Sequence, residues 1–119
     1  MTHERLRLGA AGEALAARFL ETQGYRIVAR RWWGAGREID LIAEKGDVVA
    51  LVEVKTRRAP LAPPVLAVDR RKRQQLTAAA RLAEARWPAR AFRFDVVSVV
   101  VGEDGTRVEH LPDAFRVGE

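Results

Sequence analysis

Glu38-Ile39-Asp40-Leu41-Ile42-Ala43-Glu44-Lys45-Gly46-Asp47-Val48-Val49-Ala50-Leu51-Val52-Glu53-Val54-Lys55-Thr56 is the stretch that decides the fold. Two runs rich in β-branched and aliphatic residues flank Lys45-Gly46, and Gly46 tolerates the positive φ that a tight hairpin demands. The pattern predicts strands over Glu38–Glu44 and Asp47–Thr56. A two-residue turn at Lys45-Gly46 pairs Glu44 with Asp47, sets Asp40 against Leu51 and sets Glu38 against Glu53. Side chains alternate faces along a strand, so Glu38, Asp40, Leu51, Glu53 and Lys55 share one side of this ribbon. Ile39, Leu41, Ala43, Val52 and Val54 take the other side and read as core.

In that register Asp40 and Glu53 are diagonal neighbours with backbones roughly 7 to 8 Å apart. Two carboxylates converging between strands repel, and burying them costs several kcal/mol unless a cation neutralises them. Oxygen ligands without a nearby His or Cys favour Mg²⁺ or Mn²⁺ over zinc. Lys55 follows on the same face, where its ammonium can orient a water, stabilise an oxyanion or act as a base. Together these are the parts of a phosphoryl-transfer hydrolase. A solvated, charged strand face is the competing reading of Glu-Val-Lys alone.

Outward from the hairpin, Leu8, Ala11, Leu15, Phe19 and Leu20 recur at helical spacing, which predicts a helix over Leu6–Gln23 stopped by Gly24. A strand over Tyr25–Arg31 follows, then Trp32-Trp33 and a Gly34-Ala35-Gly36 loop. Ala59-Pro60-Leu61-Ala62-Pro63-Pro64 reads as exposed loop. Asp69 caps a second helix over Arg70–Trp87, with Leu76, Ala79, Ala80, Leu82 and Ala83 inward and Pro88 ending it. Phe92–Val101, apolar on both faces, reads as a central strand, and Thr106–Leu111 returns after a turn at Glu103-Asp104-Gly105. The order α-β-β-β-α-β-β describes an α/β three-layer domain with a mixed five-stranded sheet between helices.

A chain of 119 residues holds one domain, 1–119, and can bury a core of its own. It contains no cysteine, which excludes disulfide scaffolds, zinc ribbons and thiol catalysis. No apolar run reaches the roughly 20 residues of a membrane helix, and the N-terminus lacks a signal-peptide profile, so the expected location is the cytoplasm. Of 21 basic residues only Lys45, Lys55 and Lys72 are lysines, leaving 18 arginines, and the net charge is +5. That balance suits a polyanionic partner, with solvated arginine-rich faces as the alternative.

Asp40, twelve intervening residues and Glu53-Val54-Lys55 on consecutive strands resemble the PD-(D/E)XK nuclease core. Glu38-Ile39-Asp40-Leu41-Ile42-Ala43 with Val52-Glu53-Val54-Lys55-Thr56-Arg57 is similar to the YraN family of small bacterial proteins. The likeness extends to Leu8-Gly9-Ala10-Ala11-Gly12-Glu13 and Phe94-Asp95-Val96-Val97. It implies a restriction-endonuclease-like fold related to Holliday-junction resolvases, and a metal-dependent endonuclease on DNA, branched or single-stranded. It makes Asp40, Glu53, the Val54 backbone carbonyl and Glu13 metal contacts and Lys55 the water-positioning group. Resolvase-like relatives are often dimers, so it also implies a homodimer. Three departures stand out. Ile39 replaces the motif's proline, Arg37 stands where a second glycine is expected, and Gln74 or Gln75 lacks the aromatic that usually follows the helix glutamine.

Arg57, Arg58, Arg70, Arg71, Lys72 and Arg73 form two basic clusters suited to phosphate contacts. Trp32 and Trp33 offer either base stacking or core packing. Glu38 reads as a further ligand or as an arginine's partner, with the structural role favoured. Asp95, inside an apolar strand, requires a cationic partner. His3 and His110 read as incidental. Two non-enzymatic readings stand beside the nuclease: a catalytically silent nucleic-acid-binding module, and an interaction subunit of a DNA-processing complex.

Overall fold

The computed structural model describes residues 3–59, 70–89 and 91–115. The chain runs α1 (His3–Thr22), β1 (Arg26–Gly34), β2 (Arg37–Lys45), β3 (Val48–Arg58), α2 (Arg70–Arg86), β4 (Ala91–Gly102) and β5 (Gly105–Phe115). All seven expected elements are present in the expected order. The five strands lie side by side in sequence order, antiparallel throughout except for the parallel β3–β4 pair that α2 connects. Only a crossover can join parallel neighbours, which is why the helix falls between those two strands. The expected Pro60–Pro64 loop and the Asp69 cap lie outside the described residues.

The two helices cover opposite faces of the sheet. Ala16, Ala17 and Leu20 of α1 pack on Leu41, Ala43, Ala50, Val52, Val97 and Val99. Leu76, Ala79 and Ala80 of α2 pack on Ile42, Val49, Leu51 and Phe94. The domain is thus an α/β sandwich of helix, mixed sheet and helix.

The inward stripe of α1 differs from the expected one. Leu15 is exposed and Ala11 lies outside, while Gly12, Ala16, Ala17 and Leu20 are buried. Small residues win because α1 lies very close to β3. A Cβ on Gly12 would come within 2.9 Å of both Cβ and Cγ2 of Thr56 and would overlap its Oγ1. Leu82 of α2 is likewise exposed rather than inward. At 100° per residue it falls outside the arc spanned by Leu76, Ala79, Ala80 and Ala83.

Gly24, with φ +92°, ends α1 as expected. The Tyr25 N–H bonds back to the Leu20 carbonyl at 3.0 Å, the closing bond of a Schellman turn. Lys45 reinforces this end, donating to the Gln23 carbonyl at 2.8 Å from a position over the Tyr25 ring. The strand over Tyr25–Arg31 continues to Gly34, so Trp32 and Trp33 belong to β1. Trp32 packs edge-on against Trp87 with ring centroids 5.5 Å apart, whereas Trp33 remains 65% exposed.

The hairpin register is shifted by two residues from the expected one. Leu41 faces Val52, Ile42 faces Leu51 and Lys45 faces Val48, so the turn is Gly46-Asp47. Gly46 carries the positive φ, +57°. A shift of two preserves the side on which each residue projects. Ile39 is the exception: it sits with the α2-side core instead of with Leu41 and Ala43. Beside it Arg31 of β1 adopts φ +49°, and the regular alternation breaks there.

Candidate active site

The β2–β3 ladder stops at Leu41–Val52. Just beyond it Asp40 and Glu53 line one cleft, and the charge of Glu53 is felt at Asp40. The gap is bridged by a side chain: the Val54 N–H donates to the Asp40 carboxylate at 2.7 Å. The N–H and C=O of one strand residue point to the same edge, so the Val54 carbonyl also faces the gap between β2 and β3. β2 and β3 part at this point, and a cleft opens lined by Arg37, Glu38, Asp40, Glu53, Leu76 and Phe94.

Burial raises the Asp40 carboxyl to a pKa of about 6. The Val54 hydrogen bond opposes this, and the negative charges of Glu13, Glu53 and Glu38 add to it. Four acidic side chains on three elements therefore bear on one point. Gly12 makes this geometry possible. The close approach of α1 to Thr56 carries Glu13, one residue on, to where its charge is felt at Asp40.

Glu53 behaves oppositely. Burial pushes its pKa up, but the ammonium groups of Lys55 and Lys72 outweigh that and hold the carboxylate below its usual range. Lys55 Nζ lies 3.1 Å from Glu53 Oε1, and Lys72 Nζ lies 3.3 Å from Oε2 and 3.4 Å from Oε1. Asp40 and Glu53, a proton-retaining acid beside a held carboxylate, form the pair whose environments drive their pKa values apart.

The full-length resemblance to known proteins follows the same residues. The model of the uncharacterised protein family UPF0102 matches residues 12–99, from Gly12 through β4. The chain belongs to this family. A UPF0102 protein of Nitratidesulfovibrio vulgaris is 43% identical over all of this chain and 91% of its own length. That of Geobacter metallireducens is 40% identical over 92% of this chain and 93% of its own. That of Nocardia farcinica is 47% identical over 91% and 88%.

Of the residues singled out in this UPF0102 chain, Asp40, Glu53, Lys55, Glu13 and the Val54 backbone come together. Each carboxylate has a partner of its own: Glu13 accepts from Arg31 at 3.1 Å, Asp40 from Val54, and Glu53 from the two lysines. Among the described residues no group of three or more His, Asp or Glu side chains is arranged to hold a metal ion. A cation would take oxygens from Asp40, Glu53 and the Val54 carbonyl, with Glu13 turning from Arg31. That donor set is all oxygen and suits a hard ion.

Lys72 stands apart from the basic cluster in which it was placed. It turns into the cleft, while Arg70, Arg71 and Arg73 on α2 and Arg58 on β3 are exposed and Arg57 is half-buried. Gln75 reaches the cleft rim, where its Oε1 accepts from Arg37 Nη1 at 3.3 Å. Arg37, where a second glycine was expected, is thus a strut between β2 and α2. Glu38 is exposed at the rim and contributes charge to Asp40.

His110, read as incidental, belongs to a second polar cluster. Asp95, fully enclosed, accepts two bonds of 2.8 Å from the Arg93 guanidinium and one of 3.0 Å from the Asp113 N–H, and His110 Nε2 lies 2.7 Å away. Burial works against its charge, yet His110, Arg93 and Asp113 together hold the Asp95 carboxylate below its usual range. An ionised carboxylate only accepts, so Nε2 carries the proton. Asp95 has the cationic partner its apolar strand required. Sequence reasoning misses His110 because the β4–β5 register shifts between Phe94 and Val96, an irregularity that the turn at Glu103-Asp104 does not reveal.

Proposed function

We propose that this protein is a Mg²⁺- or Mn²⁺-dependent endonuclease of the PD-(D/E)XK type, with a restriction-endonuclease-like fold, hydrolysing DNA phosphodiester bonds in the cytoplasm. The observation that carries the reading is Asp40 and Glu53 in one cleft where the β2–β3 ladder stops, with Lys55 at 3.1 Å from Glu53 and Glu13 bearing on Asp40. Burial raises the Asp40 pKa and the neighbouring carboxylates add to it, which marks a place where a cation would lower the energy. When bound, the ion supplies Lewis-acid stabilisation of the phosphoryl oxygens and acidifies a water.

The chain's own residues do the rest. Asp40, Glu53, the Val54 carbonyl and Glu13 supply oxygens. Lys55 projects from the same face as Glu53 and orients the attacking water or balances charge on the phosphorane-like transition state. Arg57, Arg58, Arg70, Arg71 and Arg73 neutralise flanking phosphates, fixing the backbone without reading sequence.

A second reading, a catalytically silent nucleic-acid-binding module or an interaction subunit of a DNA-processing complex, draws on one observation. The ion pairs of Glu13 and Glu53 complete the cleft without a metal. Purified protein incubated with linear duplex, single-stranded and four-way-junction DNA separates the two readings. The nuclease gives products with Mn²⁺ or Mg²⁺, none with chelator, and none from Asp40→Asn or Lys55→Met. Products that survive both substitutions belong to a contaminant and sink the catalytic reading. Salt-dependent binding without products in any metal supports the silent module.

A further inference from the structure

The chain uses arginine wherever a positive charge is wanted, 18 times against three lysines. Each exception sits at a specific place. Lys45 closes the end of α1 on the Gln23 carbonyl. The other two, Lys55 and Lys72, meet on Glu53. Lys72 is the sharper case, because it interrupts Arg70-Arg71-Lys72-Arg73. Its three arginine neighbours are exposed, and it alone turns inward, its side chain 20% exposed and shared between both oxygens of Glu53.

Arginine in that position would also neutralise Glu53, and with a stronger grip. A guanidinium offers a rigid fork that matches a carboxylate bidentately, whereas an ammonium is a compact point charge on a flexible stem. The difference matters only if the contact must be given up. A divalent cation binding Glu53 needs the oxygens that Lys72 holds, and it repels the ammonium.

We infer that Lys72 is the resident counter-ion of this cleft: it occupies Glu53 until a divalent cation takes that carboxylate, and it is displaced by the cation's arrival. The inference rests on the proposed metal-dependent function. Lys72 acts through Glu53 and is a positioning residue. Lys55 does not share the role, since it lies on the same strand as Glu53 and more in the open, with 40% of its side chain exposed. Displacement also gives ion binding a consequence on α2: the released ammonium joins Arg70, Arg71 and Arg73, so metal loading adds a fourth cation to the surface that would meet phosphates.

Calorimetric titration of Mn²⁺ into wild type, Lys72→Met, Lys72→Arg and Asp40→Asn tests this, with melting temperatures taken with and without metal. Removing a competing and repelling charge tightens Mn²⁺ binding by about fivefold in Lys72→Met. Lys72→Arg, gripping Glu53 in a fork, binds Mn²⁺ more weakly than wild type. Lys72→Met also melts lower than wild type without metal and gains more on loading, as mass action requires of a tighter site. If wild type titrates and Asp40→Asn does not, but Lys72→Met binds no tighter than wild type, the displaced counter-ion is wrong and the metal site stands. If wild type itself takes up no Mn²⁺, the metal-dependent reading falls and this inference with it. Lys72→Arg binding as tightly as Lys72→Met overturns it independently.

Discussion

The Val54 N–H donates to the Asp40 carboxylate at 2.7 Å where a backbone carbonyl would ordinarily accept. This substitution of side chain for main chain falls where the β2–β3 ladder ends, leaves the Val54 carbonyl facing the gap and holds Asp40 against β3. The hydrogen bond favours the charged form, yet burial and three neighbouring carboxylates win, and the acid retains its proton up to a pH of about 6. The site is held in an electrostatically unfavourable state of the kind a bound cation would relieve.

Asp40 therefore costs stability once ionised. Its folded pKa of about 6 lies above the ordinary value of 3.8. The native state thus binds the extra proton between those values, and stability from this group is complete below pH 4 and lost as pH rises through 6. Asp40→Asn keeps an oxygen for Val54 and removes the charge. It should stabilise the metal-free protein by about 1–2 kcal/mol at pH 7.5 and by almost nothing at pH 4. Urea unfolding across that range checks it; an equal effect at both pH values refutes the assignment. In the same range Mn²⁺ binding by wild type should weaken as pH falls below 6, because protons compete for Asp40.

Gly12 is the hinge on which Glu13 depends. Gly12→Ala puts a methyl into Thr56, and α1 must lift from β3. The expected loss is about 1–3 kcal/mol, the usual cost of overpacking. Thr56→Ala removes Oγ1 and Cγ2 and should recover part of it, so a double-mutant cycle gives a favourable coupling. Additive losses would show that α1 and β3 do not meet through this pair.

The hairpin was legible because its chemistry rides on period-two alternation, which survives a two-residue slip. Glu53 and Lys55 kept their shared face although the turn moved to Gly46-Asp47, and Asp40 meets them in the cleft beyond the end of the ladder. What stayed illegible followed from distance and size. The buried stripe of α1 is made of Gly12, Ala16 and Ala17, residues a hydrophobicity pattern passes over in favour of Leu15. Lys72 looked like part of a basic run, and only the packing of α2 on the sheet shows that it points at Glu53. His110 meets Asp95 where the β4–β5 register shifts between Phe94 and Val96, an irregularity that the hairpin's turn does not announce.

The Asp95 cluster is structural in its energetics. Asp95 is enclosed and serves Arg93, His110 and the Asp113 N–H, while Arg93 Nη2 also donates to the Tyr25 hydroxyl at 2.6 Å. Asp95→Ala leaves the Arg93 charge half-buried without its carboxylate and costs about 3–5 kcal/mol. Unlike Asp40→Asn, it should lower the melting temperature at every pH between 5 and 8. The Asp95 carboxylate is held below its ordinary range, so wild-type stability from this group is present at neutral pH and is lost as pH falls through that depressed value. A neutral effect of Asp95→Ala on unfolding would remove the cluster from the account of stability.

Trp33 offers a direct test of the proposed nucleic-acid partner. It pairs across the ladder with Glu38 at the cleft rim and leaves 65% of its surface in solvent, while its neighbour Trp32 is packed against Trp87. A strand that presents an indole beside exposed Arg30 has the parts of a stacking platform, an aromatic face next to backbone-neutralising charge. Since Trp33 buries little, Trp33→Ala should leave stability within about 0.5 kcal/mol of wild type. It should weaken binding of a single-stranded oligonucleotide in the presence of chelator by about 1–3 kcal/mol, the cost of one lost base stack. Duplex binding should change far less, because paired bases are already stacked on one another. Fluorescence anisotropy with both ligands measures the two effects at one salt concentration. Equal weakening for single strand and duplex would move Trp33 from base stacking to general surface contact.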